Sequence, residues 1–183
     1  PFDEYLLLGD IPTFKIYDSS ENIYYDALPS QNYPWEINQF FLIDVLRTVE
    51  NVTISIHADG SGDFATIQEG IDAAYNGDTV MVADGIYTGE GNIDLDFYGK
   101  AITVKSESGL ENCIIDCEYT DRAFTFVNGE DSTSVLDGFT ITSGGNRDQG
   151  GGIYCNYSSP TIKNCNISNC IADDYGGGMY LFG

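Results

Sequence analysis

The chain has 183 residues, 42% apolar and 13% aromatic, enough for a packed core and too apolar for a disordered chain. Seven basic residues face 29 acidic ones, a formal net charge of −22 that excludes nucleic acid as a partner by like-charge repulsion. The same field repels anionic membranes and anionic polysaccharides unless cations bridge them, and no run reaches the ~20 apolar residues of a membrane span.

Residues 1–50 read as a small β segment. Tyr5-Leu6-Leu7-Leu8 is an apolar run closed by Gly9-Asp10, and Thr13 to Tyr17 alternates with Phe14 and Ile16 on one side. The cluster Asp18-Ser19-Ser20-Glu21-Asn22 is a turn before a second strand at Ile23-Tyr24-Tyr25, which predicts a hairpin. A polar loop from Pro29 to Pro34 leads to the apolar Phe40-Phe41-Leu42-Ile43 and Val45-Leu46.

From residue 51 the pattern changes. Val52 to Ile56 is a strand, and Asp59-Gly60-Ser61-Gly62-Asp63 is a tight turn. A single helix is predicted over about 66–76. Thr66 is its N-cap, Glu69 completes a capping box, and Ile67, Ile71 and Ala74 share one face. Gly77 is read as its stop. A short helix with one apolar face suits the covering of an exposed sheet end. Short strands follow at Thr79–Ala83, Ile86–Tyr87, Ile93–Phe97, Ala101–Lys105, Cys113–Cys117 and Ala123–Val127, each bounded by Gly, Asn or Asp.

An internal repeat is the most informative feature. Leu136, Phe139 and Ile141 match Ile162, Cys165 and Ile167, and Gly150-Gly151-Gly152-Ile153-Tyr154 matches Gly176-Gly177-Gly178-Met179-Tyr180. The offset is the same in both segments (162 − 136 and 176 − 150, each 26). Within each copy the apolar spacing is three, then two. The break falls at Asp137-Gly138 and at Lys163-Asn164, where Gly and Asn accept left-handed backbone angles. Strands joined by sharp corners and repeating at a fixed offset describe a solenoid rather than a sandwich.

The five cysteines, Cys113, Cys117, Cys155, Cys165 and Cys170, form no Cys-x-x-Cys pair, and an odd count cannot be a complete disulfide framework. On a strand, Cys113 and Cys117 stand ~13 Å apart, beyond disulfide reach. They are read as small buried apolar residues.

The run from His57 to Ala74, through Asp59-Gly60-Ser61-Gly62-Asp63-Phe64-Ala65-Thr66-Ile67-Gln68-Glu69-Gly70-Ile71, resembles the opening of the pectin lyase-like superfamily. It is most similar to the start of pectin methylesterases, and Gly77 to Tyr87 continues the likeness. The Gly-Gly-Gly-Ile-Tyr and Pro-Thr-Ile-Lys-Asn-Cys-Asn-Ile-Ser runs look like coil repeats of large secreted β-helix proteins. The resemblance implies an all-β fold: a right-handed parallel β-helix over 51–183, with its first coil capped by the helix. It covers roughly residues 51–183 and carries no activity with it. The Gln-Asp-Thr and Asp-Phe-Ile-Phe-Gly runs of the esterases are absent. Gln149 stands in a Gly-rich loop, and no Arg or Lys pairs with clustered acids in the manner of a lyase.

No residue is assigned a catalytic, cofactor-binding or metal-binding role. Asp59, Ser61 and Asp63 alternate oxygen ligands, which makes calcium the candidate cation, but a distal Glu is missing and a turn is the simpler reading. Arg122 and Arg147 adjoin Asp121 and Asp148, so local ion pairs are expected. Asp173-Asp174 is read as an exposed loop. His57 has no visible Ser or Asp partner for a hydrolase triad. The sequons at Asn51, Asn156 and Asn166 are weak signals.

The reading that follows is a non-catalytic structural or adhesive module, secreted or cell-surface, with a self-assembling fibre subunit as its sharper form. Its partners would be other copies at open β-helix ends, or glycans, without membrane insertion. The alternatives are a fragment of a polysaccharide lyase or esterase, and a carbohydrate-binding module using Tyr154, Tyr157 and Tyr180 as stacking platforms. The chain begins with Pro1 and stops soon after a strand begins, which suggests a piece of a longer protein.

Overall fold

The computed structural model describes residues 13–20, 22–29, 46–48 and 51–183. The chain divides into two compact units, Pro1–Glu50 and Asn51–Gly183. In the first, β1 (Phe14–Asp18), β2 (Ile23–Pro29) and β3 (Leu46–Thr48) form an antiparallel sheet in that order. The expected hairpin is its first pair, with Asp18 opposite Ile23 and Phe14 opposite Ala27. The Tyr5–Leu8 run, residues 30–34 of the polar loop and the Phe40–Ile43 run lie outside the described residues.

The second unit is a parallel β-solenoid of about five turns. The first turn holds β4 (Thr53–Ile56) and the helix α1 (Ile67–Ala73). The second holds β5 (Thr79–Val82), β6 (Gly85–Tyr87) and β7 (Leu95–Asp96). The third holds β8 (Thr103–Ser106), β9 (Cys113–Asp116) and β10 (Phe124–Phe126). The fourth holds β11 (Val135–Asp137), β12 (Thr140–Thr142) and β13 (Ile153–Asn156). The fifth holds β14 (Thr161–Lys163), β15 (Asn166–Ser168) and β16 (Met179–Phe182). Three parallel sheets form the walls, ordered β4-β5-β8-β11-β14, β6-β9-β12-β15 and β7-β10-β13-β16.

The register is the one the repeat predicts: Leu136 pairs with Ile162, Ile141 with Ile167 and Ile153 with Met179. Corners occur where the phase breaks, at Gly138 (φ 87°) and Asn164 (φ 52°). Alternate wall residues are buried, as a two-residue side-chain period requires: Ile54, Ile56, Val80, Val82, Val104 and Leu136 line one sheet. Phe97, Phe124, Phe126 and Phe139 fill the centre, with the Phe97 and Phe126 rings 5.0 Å apart, edge to face. All five cysteines are free thiols. Cys113, Cys117 and Cys155 are buried in the core, and Cys165 and Cys170 are half-buried.

The helix closes the first turn. Thr66 accepts from the Glu69 amide, and the Glu69 carboxylate accepts from the Thr66 amide and hydroxyl. Ile67 and Ile71 are fully buried, and Gly70 lets the helix settle closely, since a Cβ there would lie 3.0 Å from Val80 Cγ1. The helix is shorter than the 66–76 expected. It ends at Ala73 because Ala74 turns extended (ψ 146°) and the Asp78 carboxylate takes the Tyr75 amide at 2.8 Å. Gly77 serves a later turn instead. Lys100, from the next turn, donates to the carbonyls of Ile71 and Asp72 at the helix end. Among the described residues no helix is long and apolar enough to cross a membrane.

Candidate functional site

The Asp59–Asp63 turn folds back on the outer edge of β4. Asp63 accepts from the Ser55 amide and hydroxyl, both at 2.8 Å, and the Asp63 amide donates to the Ser55 carbonyl. Asp59 accepts from the Ser61 amide and hydroxyl. Each carboxylate therefore faces its own partner, and the two do not converge on a shared centre. Hydrogen bonds from Ser61 hold Asp59 below the usual carboxylate range, and those from Ser55 do the same for Asp63. The turn thereby blunts an edge that would otherwise offer unpaired groups. Among the described residues no cluster of three or more His, Cys, Asp or Glu side chains forms a cation cage.

His57 departs from expectation. The tight turn brings Ser61 back, and its hydroxyl lies 2.9 Å from His57 Nδ1 while donating to Asp59 at 2.7 Å. The order is wrong for a hydrolase triad, in which the imidazole stands between hydroxyl and carboxylate and removes the hydroxyl proton. Here the serine proton points at Asp59.

The second cluster lies at the corner before the third sheet. The local ion pairs expected for the two arginines are not found among the described residues: Arg147 pairs across turns, and Arg122 stacks on an aromatic ring. Arg147 binds Asp121 through both Nε and a terminal nitrogen, and that terminal nitrogen also meets Asp94 at 3.2 Å. One guanidinium thus links the corners of turns two, three and four. Bonding to Asp121 raises the Arg147 pKa above its ordinary value. Asp173 continues the column, its amide donating to the Arg147 carbonyl.

Arg122 does something else. Its backbone amide donates to Asp121, but its guanidinium lies over the Tyr154 ring, 4.7 Å from the centroid. The residue is 9% exposed, and its Nε has no hydrogen-bond partner among the described residues. Burial first, then the Arg147 charge, push its pKa below the ordinary guanidinium value. The cause lies in register. Asp121 and Arg147 are 26 apart. Phe124 and Ile153, which pair a few residues later, are 29 apart (153 − 124). Turn four therefore carries a three-residue excess (29 − 26) across this corner, and a recess of about 450 Å3 opens beside Arg122 and Tyr154. Asn146, Arg147, Gln149 and the carboxylates of Asp148 and Asp174 complete it. Asp173 and Asp174 are exposed, as the sequence implies.

The tyrosines stack chiefly on the protein itself. Tyr154 is parallel to Tyr180 at 5.7 Å and carries Arg122, while the exposed Tyr157 meets Phe182 edge to face at 5.5 Å. Tyr154 is consequently unavailable as a flat sugar platform. A comparison of the chain with protein-family models, curated proteins and solved structures finds no match.

Proposed function

We propose that the chain is a non-catalytic structural or adhesive module of a secreted or cell-surface protein, built as a pectin lyase-like β-helix. The observation that carries this reading is how side chains with chemistry are used: they join one turn to the next. Arg147 ties Asp94 to Asp121, Lys163 meets Asp137 at 3.4 Å, and Tyr154 stacks on Tyr180. A carboxylate neutralised by a guanidinium is a poor general base, and a guanidinium held between two carboxylates is a poor one too. The acidic surface suits an exposed, solvated module.

Self-association through the strand edges of the solenoid goes with this reading; at the first turn helix α1 and the Asp63 turn cover the β4 edge.

The test is incubation with uronate polymers, their methyl esters and neutral polysaccharides, following double-bond formation, ester release and new reducing ends. No turnover is expected. Turnover abolished by Arg147→Ala would replace this reading with an enzyme. Glycan recognition without turnover is a second reading, favoured by the recess beside Arg122.

A further inference from the structure

The recess beside Arg122 combines features that the turn-joining ladders do not need. A buried guanidinium there keeps an unpartnered Nε. A buried donor without an acceptor costs ~1–3 kcal/mol, more when charged, so this guanidinium is held beside the recess with donor capacity that the described residues do not use. At about 450 Å3 the recess falls within the ~300–1,000 Å3 of small-molecule sites. Its lining is mostly polar and mixed: guanidinium and amide donors from Arg122, Asn146 and Gln149, with carboxylate acceptors from Asp148 and Asp174.

We propose that this recess binds one neutral saccharide unit, whose adjacent hydroxyls accept from Arg122 and donate to Asp148 and Asp174. A vicinal diol both gives and takes hydrogen bonds a few ångströms apart, which neither a simple cation nor a simple anion does. The net charge of −22 selects against an acidic polymer, which the whole surface repels. The sugar sits against the edges of the Tyr154 and Arg122 stack, since the ring faces are already covered. Tyr175, 64% exposed, is bridged through its backbone to Gln149 of the lining. This site goes beyond the structural reading: binding here is compatible with a non-catalytic module, and turnover would sink that reading while leaving the site.

The test uses the full chain and titration calorimetry with cellotetraose, mannotetraose and tetragalacturonate at low and moderate salt. At least one neutral tetrasaccharide binds, with an affinity little changed by salt, and Arg122→Met weakens it tenfold or more. Amide spectra confirm that Arg122→Met stays folded. Should it not, Asp174→Asn, at an exposed position, supplies the same comparison with a several-fold loss. Three outcomes overturn the proposal. They are no binding of any neutral probe, neutral binding untouched by both substitutions, and tetragalacturonate binding more tightly than the neutral probes.

Discussion

Replacing Gly151 by alanine places one carbon where the backbones of turns four and five meet. A Cβ built on Gly151 overlaps the Ile171 carbonyl oxygen and stands 2.6 Å from that of Gly177. Backbone atoms cannot rotate away as a side-chain tip can, so the turns must part by ~1 Å to restore ordinary contact. The amides of Gly150, Gly151, Gly152 and Ile153 donate to carbonyls of residues 175–178 at 3.0 to 3.2 Å, and that movement stretches all of them. At a net ~1 kcal/mol per hydrogen bond, loss of two or three costs about 2–3 kcal/mol, similar to overpacking a core. Gly178, the counterpart of Gly152 one turn on, is the control. A Cβ there meets only Ile167 Cγ2, at 3.5 Å, and its φ is not positive. Gly178→Ala is therefore neutral, or stabilising by up to ~1 kcal/mol through the unfolded chain. Urea unfolding of both variants at equal m-value reads the difference directly. Equal midpoints would refute the view that turn-to-turn backbone approach dictates the Gly-Gly-Gly motif.

Leu136→Ala removes a fully buried side chain and costs about 2–5 kcal/mol in urea unfolding, whereas Ile162→Ala, its half-buried partner one turn on, costs roughly half as much. Acid acts on the capped end. Hydrogen bonds from Ser55 and Thr66 hold the Asp63 and Glu69 carboxylates below their unfolded values. Their contribution is present above the unfolded pKa and disappears as pH falls through the folded one. Protection of the Ser55 and Thr66 amides, corrected for intrinsic exchange, therefore drops below about pH 4. Asp96 has the opposite sign: burial raises its pKa, so its favourable contribution is lost as pH rises. Burial pushes the thiols of Cys113, Cys117 and Cys155 to about 12, so a thiol reagent at pH 8 reaches them only after unfolding.

The fold was legible where the chain repeats without insertion. Turns four and five keep one constant offset on all three walls, so Leu136 and Ile162, or Ile153 and Met179, can be aligned by eye. The corners showed too, because Gly138 and Asn164 occupy positions that need left-handed angles. Earlier turns hid their register behind loops of unequal length. Thr79 pairs with Thr103, an offset of 24 (103 − 79), but Thr103 pairs with Val135, an offset of 32 (135 − 103). The capping box was readable from Thr66 and Glu69, but the helix end was not, since Asp78 fixes it from outside the helix. The candidate site was the least legible part. Arg147 stands beside Asp148 in sequence and pairs with Asp121 one turn below, a choice made by stacking. A search for acids one repeat length from each arginine would have found Asp121. It would not have found Arg122 under Tyr154, whose spacing of 32 (154 − 122) mixes one turn with an insertion.

The same rule explains where binding chemistry can remain in such a protein. Strict stacking satisfies side chains internally: rings take each other's faces, as Tyr154 and Tyr180 do, and opposite charges in one column pair, as Asp137 and Lys163 do. A regular wall is accordingly stable and chemically quiet. Unmet hydrogen-bonding capacity arises where one turn gains residues its neighbour lacks, because a side chain there loses its stacked counterpart. The corner between Asp121 and Phe124 in turn three, facing the longer Arg147–Ile153 stretch in turn four, is such a place, and Arg122 is the side chain left over. Removing Gly150, Gly151 and Gly152 together with their counterparts Gly176, Gly177 and Gly178 would restore the regular repeat offset at that corner while keeping turns four and five matched, close the recess and abolish saccharide binding with Leu136 still paired to Ile162. Retained binding in that deletion, with the solenoid still folded, would place the ligand elsewhere.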